Sequence, residues 1–293
     1  MTPRPRDFND LVGALTEAER EKEKQIVHVR KQNETMGTIR PTICDLSESD
    51  DTLRQVMKKA LEGTLSPMMA VVDHGCEDKI VELVTALKKR DAVRTLLDGK
   101  EGKKQEAFDI DGELDVKRRL LKTCLEDVSK RLLRICSKPS TRNNKVEIEG
   151  RLCLRVYPSL PKEDTRLGAH VDNTVMTLLF ADGPGLQVLD PGRVSPKTWT
   201  RNRICTYGLP TTTLDDGPLF LRENEWGFVD LPWDRCPLLF TVGAAWPLKR
   251  WNDINILSPV LHRVFLKGGT SRISMPFLVD FADAPAAEPA KDE

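Results

Sequence analysis

The feature that most constrains the fold is a change of hydrophobic period near Asn144. Beyond it the chain breaks into short apolar runs at 152–157, 175–180, 186–189, 226–229, 238–242, 259–266 and 272–279, punctuated by Gly, Pro, Asn and Asp. Short runs bounded in this way are strands, because apolar side chains cover a pleated face and the punctuating residues suit tight turns. A series of such strands behind a helical lead-in predicts a mixed α+β, mainly β chain, a sandwich or jelly roll braced by helices.

The lead-in alternates strand and helix. Ile43-Cys44-Asp45-Leu46 is extended, a Ser-Glu-Ser-Asp-Asp cluster then caps a helix, and Leu53, Val56, Met57, Ala60 and Leu61 follow at helical spacing. A second step repeats the pattern: an apolar run at 68–72 ends at Asp73-His74-Gly75, and Ile80, Val81, Val84, Leu87 and Val93 mark the next helix. The longest helix runs from about Glu113 to Cys136, with Leu114, Leu120, Leu121, Cys124, Leu125, Val128, Leu132 and Ile135 as its apolar stripe. The expected organisation is a charged arm at 1–37, a helix and strand module at 38–145, a β domain at 146–282 holding an insertion at 190–225, and a disordered tail at 283–293.

Lysine plus arginine and aspartate plus glutamate number 45 each, so no net field favours nucleic acid or an anionic membrane. Seven scattered cysteines without a CxxC pair read as reduced cytosolic thiols. With no apolar stretch of about eighteen residues and no signal-like opening, the expectation is a cytoplasmic monomer with a small-molecule substrate.

Only four histidines are present, His28, His74, His170 and His262. His170 precedes Asp172 by two positions, so in an extended segment both face the same way. His262 falls on a later strand, in Leu261-His262-Arg263-Val264, and Arg272 follows with Ser274 two residues on. Two imidazoles and one carboxylate on one face of a metal leave positions open, the arrangement of non-haem Fe(II) oxygenases. Arg272 and Ser274 share a strand face, where a planar guanidinium and a hydroxyl suit the distal carboxylate of a dicarboxylic co-substrate. His74 reads as a turn residue satisfied by backbone hydrogen bonds, and His28 as solvent exposed. Trp246 and Trp251 read as core or rim, and Cys153 and Cys205 receive no chemistry.

These residues and their neighbours resemble the isopenicillin N synthase-like branch of Fe(II)/2-oxoglutarate dioxygenases. The resemblance spans roughly 38–280. Leu154-Arg155-Val156-Tyr157-Pro158 is similar to that family's tyrosine-proline strand, and Gly168-Ala169-His170-Val171-Asp172 with Thr177-Leu178-Leu179 to its metal strand. Pro184-Gly185-Leu186-Gln187-Val188, Trp226 with Val229 and Pro232, the segment 258–264 and Asp73-His74-Gly75 resemble further segments in the same order. The resemblance implies a double-stranded β-helix and an enzyme of secondary-metabolite biosynthesis. It implies Fe(II) held by His170, Asp172 and His262, and 2-oxoglutarate held by Arg272, Ser274 and Tyr157. It implies O2 as oxidant, ascorbate as reductant, and release of succinate and CO2. The chain departs from the pattern in three places. Arg155 stands where many relatives carry asparagine, Gly243-Ala244 where they often have Gly-Asp, and the stretch between Val188 and Trp226 replaces a short hairpin. That stretch carries Arg193, Lys197, Trp199, Arg201, Arg203, Tyr207 and Arg222, and is expected to form a lid suited to a carboxylate-bearing substrate.

Hydroxylation, desaturation and oxidative cyclisation begin alike, so the residues do not choose among them. Two other readings use the same residues: an iron oxidase that takes all its electrons from the substrate and binds a substrate carboxylate at Arg272, and a non-catalytic metal-binding module.

Overall fold

The computed structural model describes residues 38–62, 67–89, 112–136, 147–157, 159–190, 223–246, 254 and 259–282. The chain divides into two units, Met1–Thr38 and Ile39–Glu293, and the elements below belong to the second. The charged arm, the interior of the insertion, the tail, His28, Val93, Cys205 and Trp251 lie outside the described residues.

The lead-in forms as its periodicity predicts. Strand β1 (Thr42–Asp45) passes through helix α1 (Asp50–Leu61) to strand β2 (Met68–Val72), which lies parallel to β1. A helix suits this crossover because parallel strands cannot be joined by a tight turn. Ser49 caps α1, its Oγ accepting from the backbone N of Thr52, with Asp50 and Asp51 in the first turn and Lys58 and Lys59 in the last. Helices α2 (Glu77–Lys89) and α3 (Gly112–Cys136) follow. Helix α3 buries Leu114, Leu121, Leu125, Val128, Leu132 and Ile135, each burial contributing roughly 1.5–3 kcal/mol. Two residues of the expected stripes differ: Leu120 and Val81 are about half exposed, because each sits about one residue off its helix's buried line.

The remaining strands are β3 (Ile148–Leu152), β4 (Arg155–Tyr157), β5 (Asp164–His170), β6 (Met176–Ala181), β7 (Leu186–Leu189), β8 (Trp226–Phe228), β9 (Leu238–Val242), β10 (His262–Leu266) and β11 (Arg272–Phe281). Seven strands make a large sheet in the order β1-β2-β9-β6-β11-β3, with β4 also on β11. A smaller sheet runs β5-β10-β7-β8. Both strands of the lead-in therefore extend the large sheet. One face of that sheet, carrying Met69, Val71, Leu178, Phe180, Phe240, Ile273, Met275 and Phe277, packs with the helices in the main core. The other face meets the small sheet through Met68, Ala70 and Leu239 against Leu186 and Val188. The architecture is thus mixed and mainly β. Among the described residues no helix is long and apolar enough to cross a membrane.

Three expectations need correction. The run at 152–157 is two strands, β3 and β4. The carbonyl of Pro276 on β11 accepts from Cys153 N, but proline has no N–H to return, and the ladder breaks there. The metal strand of the resemblance begins earlier than Gly168: β5 starts at Asp164, and no apolar run announces that start because Asp164-Thr165-Arg166-Leu167-Gly168-Ala169-His170 has only Leu167 and Ala169 as apolar residues. Finally, Cys76 and Cys124 form a disulfide that joins the turn before α2 to the middle of α3. Their separation of 48 residues in sequence, without a CxxC spacing, hid the pairing.

Candidate active site

The pairing of β5 with β10 sets the site. His170 faces His262 and Leu167 faces Val264, so three steps along β5 match two along β10. This bulge turns both Leu167 and His170, which strict alternation would place on opposite faces, into the space between the sheets. Each histidine is held by its own backbone: His170 Nδ1 lies 2.8 Å from Gly168 O, and His262 Nδ1 lies 3.0 Å from Val260 O. Donating from Nδ1 leaves both Nε2 atoms as acceptors.

Those Nε2 atoms converge on Asp172. Its Oδ1 is 3.7 Å from His170 Nε2 and 4.0 Å from His262 Nε2, and one ligand atom of each residue lies within 4.8 Å of the others. Asp172 follows β5 on a turn fixed by its carbonyl, which accepts from Ala244 N at 2.8 Å. Gly243 is required at this approach, since a Cβ there would overlap the carbonyls of Asp172 and Thr174. Burial, reinforced by the neighbouring His262, pushes His170 down to about 4, against the opposing pull of Gly168 O and Asp172, so its imidazole is neutral at neutral pH.

At the other end of the same space stands Arg272, 2% exposed on β11. Its Nη1 reaches the carbonyl of Pro184 only at 3.5 Å, and among the described residues its Nε has no hydrogen-bond partner. Burial pushes the guanidinium down to about 10 despite the opposing influence of Tyr157 and Asp182. Asp182 is engaged elsewhere, by Ile273 N at 2.7 Å and Lys88 at 2.7 Å. Tyr157 sits opposite Arg272 on β4, and Ser274 comes two residues along β11. All six residues singled out from the sequence, His170, Asp172, His262, Arg272, Ser274 and Tyr157, line one cavity with an open mouth. Leu167, Leu179, Leu186 and Val264 supply apolar wall.

Sequence reasoning gave no role to two side chains of this cavity. Thr177 donates its hydroxyl to Asp172 Oδ2 at 2.5 Å. Arg155 faces inward beside Tyr157, and period-two alternation along β4 could have placed it there. His74 stays outside the cavity lining, as expected: its Nε2 bonds Cys236 O at 2.9 Å, and its Nδ1 accepts from Cys76 N at 3.1 Å. Trp246 is core, edge-on to Phe240 at 6.1 Å. Cys153 does not line the cavity, and the seven insertion residues lie outside the described residues.

No protein-family model and no curated protein sequence matches the chain. Solved structures do. The Arabidopsis thaliana dioxygenase for auxin oxidation 1, in a 2-oxoglutarate complex, matches at 17% identity and a TM-score of 0.52, over 85% of this chain and 96% of that one. JOX2 in complex with 2OG, Fe and JA matches at 16% identity and a TM-score of 0.52, over 84% and 76%. A full-length Neurospora crassa protein in complex with alpha-KG and thymine matches at 14% identity and a TM-score of 0.51, over 83% and 86%. The chain has the fold of the Fe(II)/2-oxoglutarate dioxygenases.

Proposed function

We propose that this chain is an Fe(II)- and 2-oxoglutarate-dependent oxygenase of a small metabolite. The observation that carries the reading is the occupancy of one cavity by two kinds of group. Converging imidazole and carboxylate atoms of His170, Asp172 and His262 lie in the same space as the buried guanidinium of Arg272, whose Nε has no partner among the described residues. The donor set fits Fe(II), with each imidazole oriented through Nδ1 by a carbonyl and the carboxylate oriented by Thr177. Arg272 fits the distal carboxylate of 2-oxoglutarate, because a guanidinium out of water gains most from a bidentate anion. Ser274 and Tyr157 add hydroxyls beside it.

With iron and the oxo-acid bound, the centre supplies O2-driven oxidation of a nearby C–H bond, coupled to formation of succinate and CO2. The protein's own work is placement. His170 coordinates without first losing a proton, Arg272 sets the co-substrate's direction, and the apolar wall excludes water. Under this reading the two sheets form a double-stranded β-helix braced by the 38–145 module, and the enzyme works as a monomer in secondary metabolism with ascorbate keeping iron reduced. Hydroxylation, desaturation and ring closure all remain within its chemistry.

The test is anaerobic addition of 2-oxoglutarate to the Fe(II)-loaded protein, followed by exposure to O2. A visible charge-transfer band and then succinate are expected. Loss of both overturns the reading, and O2 uptake without succinate marks an oxidase that draws its electrons from the substrate alone.

A further inference from the structure

We infer that Arg155 is a second carboxylate anchor in this cavity, on the metal side of Arg272, and that it holds a carboxylate of the metabolite. The inference rests on the proposed function for the first occupant of the site.

Register gives the placement. Tyr157 lies opposite Arg272 and Arg155 opposite Ser274, so Arg155 is displaced along the sheet by two residues, roughly 7 Å. The displacement runs toward Pro276 and Phe277, the stretch of β11 that faces Leu179 and Leu178 and approaches Thr177, the residue bonded to Asp172.

Arg155 has no anion among the described residues. Its Nε is buried without a hydrogen-bond partner, and no carboxylate pairs with it. Asp172 is the only carboxylate lining the cavity among the described residues, and it is committed to Thr177 and the imidazoles. Iron(II), Arg155 and Arg272 set against Asp172 and a dianionic co-substrate leave one positive charge in a space walled by Leu167, Leu179, Leu186 and Val264. Arg155 is half-buried, and a carboxylate meeting its guanidinium fork offsets that charge through paired, charge-assisted hydrogen bonds. The co-substrate's metal-side carboxylate is a second source of the same chemistry, and the experiment separates the two.

Calorimetry under anaerobic conditions uses the full-length Fe(II)-loaded chain as wild type, Arg155→Gln and Arg155→Lys, each checked for an unchanged melting midpoint. The first arm titrates 2-oxoglutarate and levulinate, which keeps the oxo group and distal carboxylate but has methyl in place of the metal-side carboxylate. The second arm titrates benzoate, phenylacetate, cinnamate and octanoate, with their neutral amides, into protein saturated with 2-oxoglutarate. Expected is an acid that binds at least tenfold more tightly than its amide, loses about tenfold in Arg155→Gln and recovers partly in Arg155→Lys, while 2-oxoglutarate is unaffected. Weaker 2-oxoglutarate binding in Arg155→Gln with levulinate unchanged assigns Arg155 to the co-substrate and overturns its assignment to the metabolite. If wild type binds no 2-oxoglutarate yet binds an acid through Arg155, the proposed function fails and the anchor stands. Binding of all these ligands indifferent to Arg155→Gln, or no acid bound and 2-oxoglutarate unchanged, overturns it.

Discussion

The hydroxyl of Thr177 on β6 donates to Oδ2 of Asp172 at 2.5 Å, and so leaves Oδ1 facing the two imidazoles. Removing that hydroxyl without changing shape frees the carboxylate to rotate. Thr177→Val is expected to weaken Fe(II) binding about 10- to 100-fold with the fold intact, and Thr177→Ser to keep most of it. Competitive metal titration reads the difference.

Substituting a proposed ligand is expected to have a larger effect. His170→Ala, Asp172→Ala and His262→Ala each leave two donors, too few for a facial array, and each is expected to abolish succinate formation. Turnover at the wild-type level in any one of them contradicts the assignment.

Arg272 sets binding against stability. A buried guanidinium whose Nε has no partner among the described residues costs free energy in the empty protein, so Arg272→Met is expected to hold or raise the melting midpoint while 2-oxoglutarate binding disappears. Arg272→Lys keeps charge but loses the fork, and its 2-oxoglutarate KM should rise sharply. Calorimetry and thermal unfolding with and without 2-oxoglutarate test both. Wild type alone should be stabilised by the ligand, by about 2.7 kcal/mol at a hundred times Kd.

The metal-free protein should lose stability in mild acid. Burial holds His74 below its ordinary value of 6.5, and burial with His262 holds His170 down to about 4. The unfolded chain takes up these protons first, so stability is complete above about pH 6.5 and falls as the pH drops from there toward 4. His170 alone accounts for a loss on the order of 3 kcal/mol. Urea unfolding at pH 7.5 and pH 5 should show the midpoint falling, with a shallower fall in His74→Gln. A flat midpoint means that neither imidazole is held neutral.

The Cys76–Cys124 bond closes a loop across 48 residues of sequence, which in a chain-entropy account contributes about 4 kcal/mol. Dithiothreitol or Cys124→Ser should lower the melting midpoint by several degrees and leave metal affinity unchanged, since neither sulfur lines the cavity.

The lead-in was legible because its helices declare a 3.6-residue period and Ser49 supplies a cap. The triad and Arg272 were legible because their side chains suit few other buried roles and recur at spacings that extended chain converts into a shared face. The start of strand β5 was not, since its single inward apolar residue, Leu167, makes no alternation and its bulge breaks the period. Thr177 escaped for a different reason: a threonine at a strand position ordinarily satisfies packing, and only the folded chain brings it to Asp172. The disulfide depends on how the turn at His74 meets α3, which no local pattern encodes.

Neighbouring residues of β10 serve opposite sides of the small sheet. His262 points into the cavity, and Arg263 points outward, over Trp226 at 4.4 Å, to Gln187 at 2.8 Å and Glu223 at 2.5 Å. Sliding β10 by one residue would bury the guanidinium in the cavity and carry the imidazole out. Insertions and deletions in descendants of this gene must therefore collect on either side of 262–266, and length variation inside that strand would mark a copy released from selection for its chemistry.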